Sequence, residues 1–229
     1  MDVPVLCFEC EGVLVETAPA RRAALATALA AEGLTLDEAT WVQVRGLAVE
    51  PGIERARRHL GAPEDPTAIT IGTLRAEQAF ADRIARGITV APDLLPTLER
   101  LSAVARLAIV SRASRREVEV LLERAGCAGL FRPIVGSDDV LSGASSPAPW
   151  MRAIEQTRAL FPSQQLRPFV ITDAVETAQA ARRAGLGVIL IGAMPAHDAV
   201  EADVWMDTLA DLTPDRVRTL RPSPSGDLP

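Results

Sequence analysis

Two glutamates near the start of the chain have the spacing and setting in which side chains do chemistry. Glu9 and Glu11 follow an apolar run at residues 3–6, and Gly12 comes directly after them. The pattern predicts a buried strand whose carboxyl end carries two acids into a glycine-containing turn. In an open α/β sheet, ligands bind beside the carboxyl ends of the strands. Any chemistry that carboxylates support is therefore expected around Glu9 and Glu11, and the alternative is that both acids simply face solvent.

The elements that must position these acids begin with a helical insertion. Between residues 19 and 87 the sequence shows four helical segments and no convincing strand. The segment Thr35-Leu36-Asp37-Glu38 has the spacing of a capping box before the second helix, and Asp65-Pro66 opens the fourth. Four helices inserted directly after the first strand predict a small helical cap domain at residues 19–87.

From residue 88 the pattern alternates between helix and strand. Predicted strands lie at residues 107–110, 133–135, 169–172, 188–191 and 204–206, and predicted helices lie between them. This alternation predicts a Rossmann-like core, a doubly wound parallel sheet with right-handed crossovers. The core is expected at residues 1–18 and 88–220. Residues 221–229, rich in Pro and Ser, are expected to form a disordered tail.

The segment at residues 8–17 resembles the first motif of the haloacid dehalogenase superfamily, in its phosphoglycolate-phosphatase and β-phosphoglucomutase branch. In that motif, apolar residues precede Asp-x-Asp-Gly-x-Leu-x-Asp-Ser/Thr. Here a glutamate stands at each Asp of the frame, at Glu9, Glu11 and Glu16. The resemblance implies that Glu9 occupies the position of the nucleophile and Glu11 that of the general acid/base. It extends over nearly the whole chain, including the helical insertion.

Two later segments match further motifs of this superfamily. The second motif is a Ser or Thr at the end of the next strand, and it falls on Ser111, so Ser111 and the adjacent Arg112 are candidate phosphate-binding residues. The third motif is a Lys before Pro-x-Pro and a helix, and Ser146 stands where that Lys belongs. The resemblance therefore implies a catalytic position without its cation, which Arg112 could replace only with a different geometry.

The fourth motif, Gly-Asp-Ser after a strand, falls on Thr172-Asp173-Ala174. The resemblance implies that the carboxylates of Glu9 and Asp173, with the backbone carbonyl of Glu11, would hold Mg²⁺, and the expected binding is weak. An alternative for Asp173 is the N-cap of the helix that follows. We expect Glu9, Ser111, Ser146 and Asp173 to converge in one crevice.

Composition narrows the classes of function. The 229 residues carry a formal net charge of −6, and all 24 basic residues other than His are Arg, so the chain contains no Lys. An acidic chain is not typical of a general nucleic-acid binder or of a protein that binds anionic membranes. The sequence has no apolar run long enough to span a bilayer, and we expect a cytoplasmic protein.

Two hypotheses of different class follow from the substituted motif positions. In the first, the nucleophile, acid/base and lysine positions are changed, phosphatase activity is lost or very weak, and the protein has a ligand-binding or protein-interaction role. In the second, it is an active Mg²⁺-dependent phosphomonoesterase with Glu9 as its nucleophile. The expected partner is a small phosphorylated metabolite or another protein. Neither the substrate nor the oligomeric state can be read from the sequence.

Overall fold

The computed structural model of the protein describes residues 2–140, 146–192 and 202–222. The chain folds as two compact units. The first consists of residues 1–15 and 90–229 and is called the α/β unit below, and the second consists of residues 16–89 and is called the helical unit. Of the tail that the sequence predicts to be disordered, residues 223–229 lie outside the described residues.

In chain order, the strands and α-helices are β1 (Val3–Glu9), β2 (Val15–Glu16), α1 (Ala18–Ala30), α2 (Glu38–Val44), α3 (Val49–His59), α4 (Pro66–Arg86), β3 (Thr89–Val90), α5 (Leu94–Ser102), β4 (Arg106–Val110), α6 (Arg115–Arg124), β5 (Ile134–Val135), α7 (Pro147–Leu160), β6 (Leu166–Thr172), α8 (Val175–Arg183), β7 (Gly187–Ile191), β8 (Val204–Met206) and α9 (Pro214–Thr219).

The α/β unit is built on a six-stranded sheet in the order β5-β4-β1-β6-β7-β8. Each neighbouring pair of these strands is parallel. Parallel neighbours must be joined by crossovers, and helices supply most of them, as the alternating sequence pattern predicts. The predicted fold class, a Rossmann-like doubly wound α/β sheet, is therefore confirmed.

Strand β1 lies in the interior of this sheet and is buried on both faces. Val5 and Cys7 pack on the face that also buries Trp150 of α7. Phe8 contacts the ring of Phe131 edge-on, with ring centroids 5.7 Å apart. A strand covered on both faces needs an unbroken apolar run, which is what precedes the two acids in the sequence.

The helical unit has its own apolar core, to which all four of the helices α1 to α4 contribute buried side chains. Asp65 accepts hydrogen bonds from the backbone N–H groups of Thr67 and Ala68, so it caps α4 as predicted. The predicted capping box that starts at Thr35 is wrong. Asp37 is the N-cap of α2 instead and accepts from the backbone N–H of Thr40, because its side chain lies within reach of the first helical turn.

Three short elements were not predicted from the sequence. Strands β2 and β3 have two residues each and pair with one another in a separate sheet, and α9 has six residues. Two-residue strands carry no hydrophobic alternation, so periodicity could not reveal them. Among the described residues, no helix has both the length and the apolar character needed to cross a membrane.

Candidate active site

Three of the candidate residues, Glu9, Ser111 and Asp173, lie where three neighbouring strands end. In the parallel ladders, Glu9 of β1 is level with Val110 of β4, and Phe8 is level with Ile171 of β6. Ser111 therefore follows β4, and Thr172 closes β6, on either side of the β1 end. This register turns sequence positions about 100 and 160 residues apart into neighbours at one edge of the sheet.

Glu9 is buried, with only 2% of its surface exposed. The Oγ1 hydroxyl of Thr172 donates a hydrogen bond of 2.6 Å to Glu9 Oε2. The other carboxylate oxygen, Oε1, lies 3.9 Å from Nη2 of Arg112, whose side chain is 38% exposed. Glu9 is therefore a buried acid with a hydroxyl on one oxygen and a more distant, solvated cation near the other.

Burial raises the pKa of Glu9 to about 7, because a charged carboxylate loses its hydration in this position. The hydrogen bond from Thr172 and the positive charge of Arg112 lower this pKa, while the negative charges of Asp173 and Glu11 raise it. Near pH 7 the side chain is consequently divided between its neutral and charged forms.

Glu11 is also buried, with 7% of its surface exposed. Its Oε2 accepts a 2.7 Å hydrogen bond from the Oγ hydroxyl of Ser111. The alternative that both acids face solvent at a strand end is therefore wrong. The turn after β1 folds back on itself, since Leu14 and Val15 both donate to the carbonyl of Cys10, and this draws Glu11 inward.

The same arrangement of hydrogen bonds holds each of the two acids, on opposite sides of β1. Ser111 Oγ accepts the backbone N–H of Ala113 at 3.0 Å, and Thr172 Oγ1 accepts the backbone N–H of Ala174 at 3.0 Å. Each oxygen therefore receives one hydrogen bond from the chain two residues on and directs its own proton toward a glutamate.

Asp173 is exposed and lies against Gly12. Gly12 has φ +84°, and a Cβ at this position would overlap the carboxylate of Asp173, so only glycine allows both the turn and this approach. The N-cap of α8 is Ala174, without a side-chain capping bond, so the alternative role of Asp173 as the N-cap is wrong.

Ser146 is placed by its own helix. It is the N-cap of α7, and its Oγ accepts the backbone N–H of Ala148 at 3.3 Å. A short hydroxyl cannot supply the positive charge that a Lys would bring to this position.

Few side chains in the described part of the chain are arranged to bind a metal ion. Within residues 2–140, 146–192 and 202–222, no group of three or more His, Cys, Asp or Glu side chains is arranged to hold an ion. Mg²⁺ often uses only one or two carboxylates together with water and a phosphate, so Glu9 and Asp173 have the chemistry of its protein ligands. Glu9 would have to be ionised to take that role.

One residue of the site was not singled out from the sequence. Thr172 was read only as part of the fourth motif, although its hydroxyl holds Glu9. A signal was present, because Thr172 stands at the Gly of that motif. A hydroxyl at that position marks Thr172 as a candidate site residue, and the side chain that it contacts is defined only by the strand register.

The amino-acid sequence is similar to that of a known phosphatase. The chain is 28% identical to the phosphoglycolate phosphatase of Pectobacterium atrosepticum over 217 residues, which is 91% of this chain and 90% of that protein.

Two solved structures show the same fold. CbbY from Rhodobacter sphaeroides in complex with phosphate superposes with a TM-score of 0.77 at 24% identity, covering 93% of this chain and 96% of that one. The β-phosphoglucomutase of Clostridium difficile superposes with a TM-score of 0.79 at 14% identity, covering 94% and 96%. The model of haloacid dehalogenase-like hydrolases matches residues 6–191, and the chain belongs to this family.

Proposed function

We propose that this protein is a phosphatase-type member of its family that binds a small phosphorylated metabolite and has lost phosphatase activity or retains very little. The observation that carries the proposal is the state of the two glutamates. Both are buried and both accept hydrogen bonds from hydroxyls that flank them. In-line phosphoryl transfer requires an ionised nucleophile that is free to reach phosphorus, whereas Glu9 is partly neutral near pH 7 and both carboxylates are already hydrogen-bonded.

Glu9 is the candidate nucleophile. A carboxylate attacks phosphorus in its ionised form, whereas burial raises the pKa of Glu9 to about 7. The side chain is also one methylene longer than Asp, and a misplacement of about 1 Å can cost about a hundredfold in rate. Glu9 is therefore a poorly placed nucleophile that is partly neutral near pH 7.

The hydroxyl of Ser111 is the candidate donor to a phosphate. A serine hydroxyl has a single proton to donate, and Ser111 donates it to Glu11. A phosphoryl oxygen can take that proton only after the carboxylate has given it up. Binding of a phosphate at Ser111 thus competes with a hydrogen bond inside the protein.

The negative charges of the site oppose the binding of a phosphate. Glu9, Glu11 and Asp173 would share the site with a phosphate dianion, while the motif position of Lys is Ser146 and the chain contains no Lys. Arg112 lies near Glu9 and is the candidate phosphate ligand among the arginines. Mg²⁺, held by Glu9 and Asp173, would neutralise phosphoryl oxygens when bound. Its binding is expected to be weak, since Glu9 must first release its proton.

The relatives support the class of ligand. One is named a phosphoglycolate phosphatase, and a solved structure of the same fold contains phosphate. A small phosphate ester is therefore the ligand that we propose for this chain.

A second candidate function is an active Mg²⁺-dependent phosphomonoesterase with Glu9 as nucleophile. The ion pair with Arg112 favours it, because the guanidinium lowers the pKa of Glu9 and stabilises the charged form. Turnover would then rise as pH rises through about 7, the range in which Glu9 loses its proton.

The test is an assay of the purified protein with Mg²⁺ on p-nitrophenyl phosphate and a panel of small sugar phosphates. We expect no turnover above background, with Glu9→Gln as the matched control. Robust turnover that disappears in Glu9→Gln would establish the second candidate. Calorimetry on the same panel tests the binding role, and failure of every phosphate ester to bind would contradict it.

A further inference from the structure

Thr172 has the surroundings of a residue with one defined task. It is fully buried at the end of β6. Its Oγ1 accepts the backbone N–H of Ala174 at 3.0 Å and donates to Glu9 Oε2 at 2.6 Å. Because a hydroxyl carries one proton, the bond from Ala174 leaves that proton directed toward Glu9.

The contact also decides the orientation of the Glu9 carboxylate. With Oε2 held against β6, Oε1 is the oxygen that lies nearest to Arg112, at 3.9 Å. A glutamate has three rotatable side-chain bonds, so without such a hydrogen bond the carboxylate could rotate away from this orientation. A charge-assisted hydrogen bond in a buried position is strong enough to select one arrangement.

We propose that Thr172 is a positioning residue for Glu9, and that its hydroxyl takes up the added length of the glutamate and fixes the orientation of the carboxylate relative to Arg112. The proposal rests on the proposed function for the importance of Glu9, although the contact itself does not. It follows that positions 9 and 172 form one unit. Aspartate at position 9 would end about 1.5 Å short and leave the buried Thr172 hydroxyl without its acceptor.

A double-mutant cycle tests this coupling. The variants are Thr172→Val, Glu9→Met and the pair together, with the folding equilibrium constant measured by urea denaturation at pH 8, where Glu9 is mostly charged. In the parent, Thr172→Val is expected to lower that constant by about tenfold or more, because a buried carboxylate loses a donor. In Glu9→Met the same change should have a clearly smaller effect, because only the hydrogen bond from Ala174 is then lost.

Two further variants separate positioning from general packing. Thr172→Ser keeps the hydroxyl and should behave as the parent, whereas Thr172→Ala should repeat the loss if Thr172→Val fails to fold. The matched control is Thr157→Val, since Thr157 is buried but donates to the carbonyl of Ala153 within α7, and it should show no coupling to position 9.

Equal effects of Thr172→Val in the two backgrounds, or failure of Thr172→Ser to restore stability, would overturn the proposal. The cycle uses the full chain and needs no substrate. Phosphatase turnover in the parent would therefore defeat the proposed function while leaving this result to stand or fall by itself.

Discussion

Glu9 of the α/β unit is buried and Glu32 of the helical unit is partly exposed, and the two acids are neutralised in different ways. In the helical unit, Glu32 forms an ion pair with Arg57, which is itself buried and also donates to the carbonyl of Pro63. In the α/β unit, Glu9 has a hydroxyl at 2.6 Å and a half-exposed arginine at 3.9 Å. The charge of Glu32 is therefore compensated by a direct counter-charge. Glu9 depends mainly on its hydrogen bond, and its pKa is raised.

The difference separates a structural role from a functional one. A directly paired acid can remain charged at little cost to the fold, provided that the pair keeps its hydrogen bonds. An acid that is buried without such a pair destabilises the fold when it ionises, and perturbed carboxyl groups of this kind cluster at functional sites. Glu9 therefore has the electrostatic character of a site residue.

The largest expected effect comes from restoring the motif residues. Glu9→Asp, Glu11→Asp and Ser146→Lys together should raise Mg²⁺-dependent turnover by about a thousandfold or more over the parent, since the acid lengths and the lysine charge of the motif are restored, even though Thr172 loses its acceptor. Each single change should do much less, because catalytic groups that act as one unit are strongly non-additive.

The matched control carries the same two Asp changes with Ser163→Lys, which adds a lysine at an exposed position elsewhere. If the triple variant folds and still hydrolyses nothing across a broad panel of phosphate esters, loss of three side chains is not the explanation.

A second prediction concerns Glu9 and pH. The folded-state pKa lies above that of the unfolded chain, so the folded protein binds the proton more tightly, and stability falls as pH rises from about 4.5 through about 7. Glu9→Gln removes this penalty and can still accept from Thr172. Its free energy of unfolding should exceed that of the parent by up to about 3 kcal/mol at pH 8. At pH 4 the gain should vanish, as urea denaturation at both pH values would show.

The smaller expected effect lies in the helical unit and has the opposite sign. Arg57→Met should lower the free energy of unfolding by about 2 kcal/mol, because it leaves Glu32 without its partner while the partial exposure of Glu32 limits the cost. The control is Arg58→Met, an exposed neighbour paired with Glu54, which should cost less than about 0.5 kcal/mol. Equal losses in the two variants would remove the distinction between the two kinds of acid.

Much of the fold was readable from the sequence, because the alternation of helices and apolar runs indicates a parallel sheet with helical crossovers. The same logic placed Glu9, Ser111 and Asp173 at one edge of the sheet, since each follows or ends a predicted strand. The hydrogen bonds of the two acids were not readable. Whether Thr172 meets Glu9 depends on a strand register set between residues 163 positions apart, and no local pattern records that distance.

The helical unit shows the same limit on a smaller scale. Helices with caps and clear periodicity were located, but the capping residue of α2 is Asp37 because the chain enters the helix two residues later than the Thr35 spacing indicates. The ion pair of Arg57 with Glu32 likewise joins α3 to the turn that follows α1, two segments that sequence spacing does not relate. Contacts between elements depend on packing that only the folded chain defines.

The central claim is that Glu9 is a buried acid held by Thr172 and only partly ionised near neutral pH. Carbon-13 NMR of the glutamate carboxyl groups, with Glu9→Gln to assign the resonance, measures its pKa directly. The account predicts a value near 7, set by burial against the opposing effects of Thr172 and Arg112. A value at or below about 4.5, the range of an exposed glutamate, would show that Glu9 is fully ionised at neutral pH and would contradict the account.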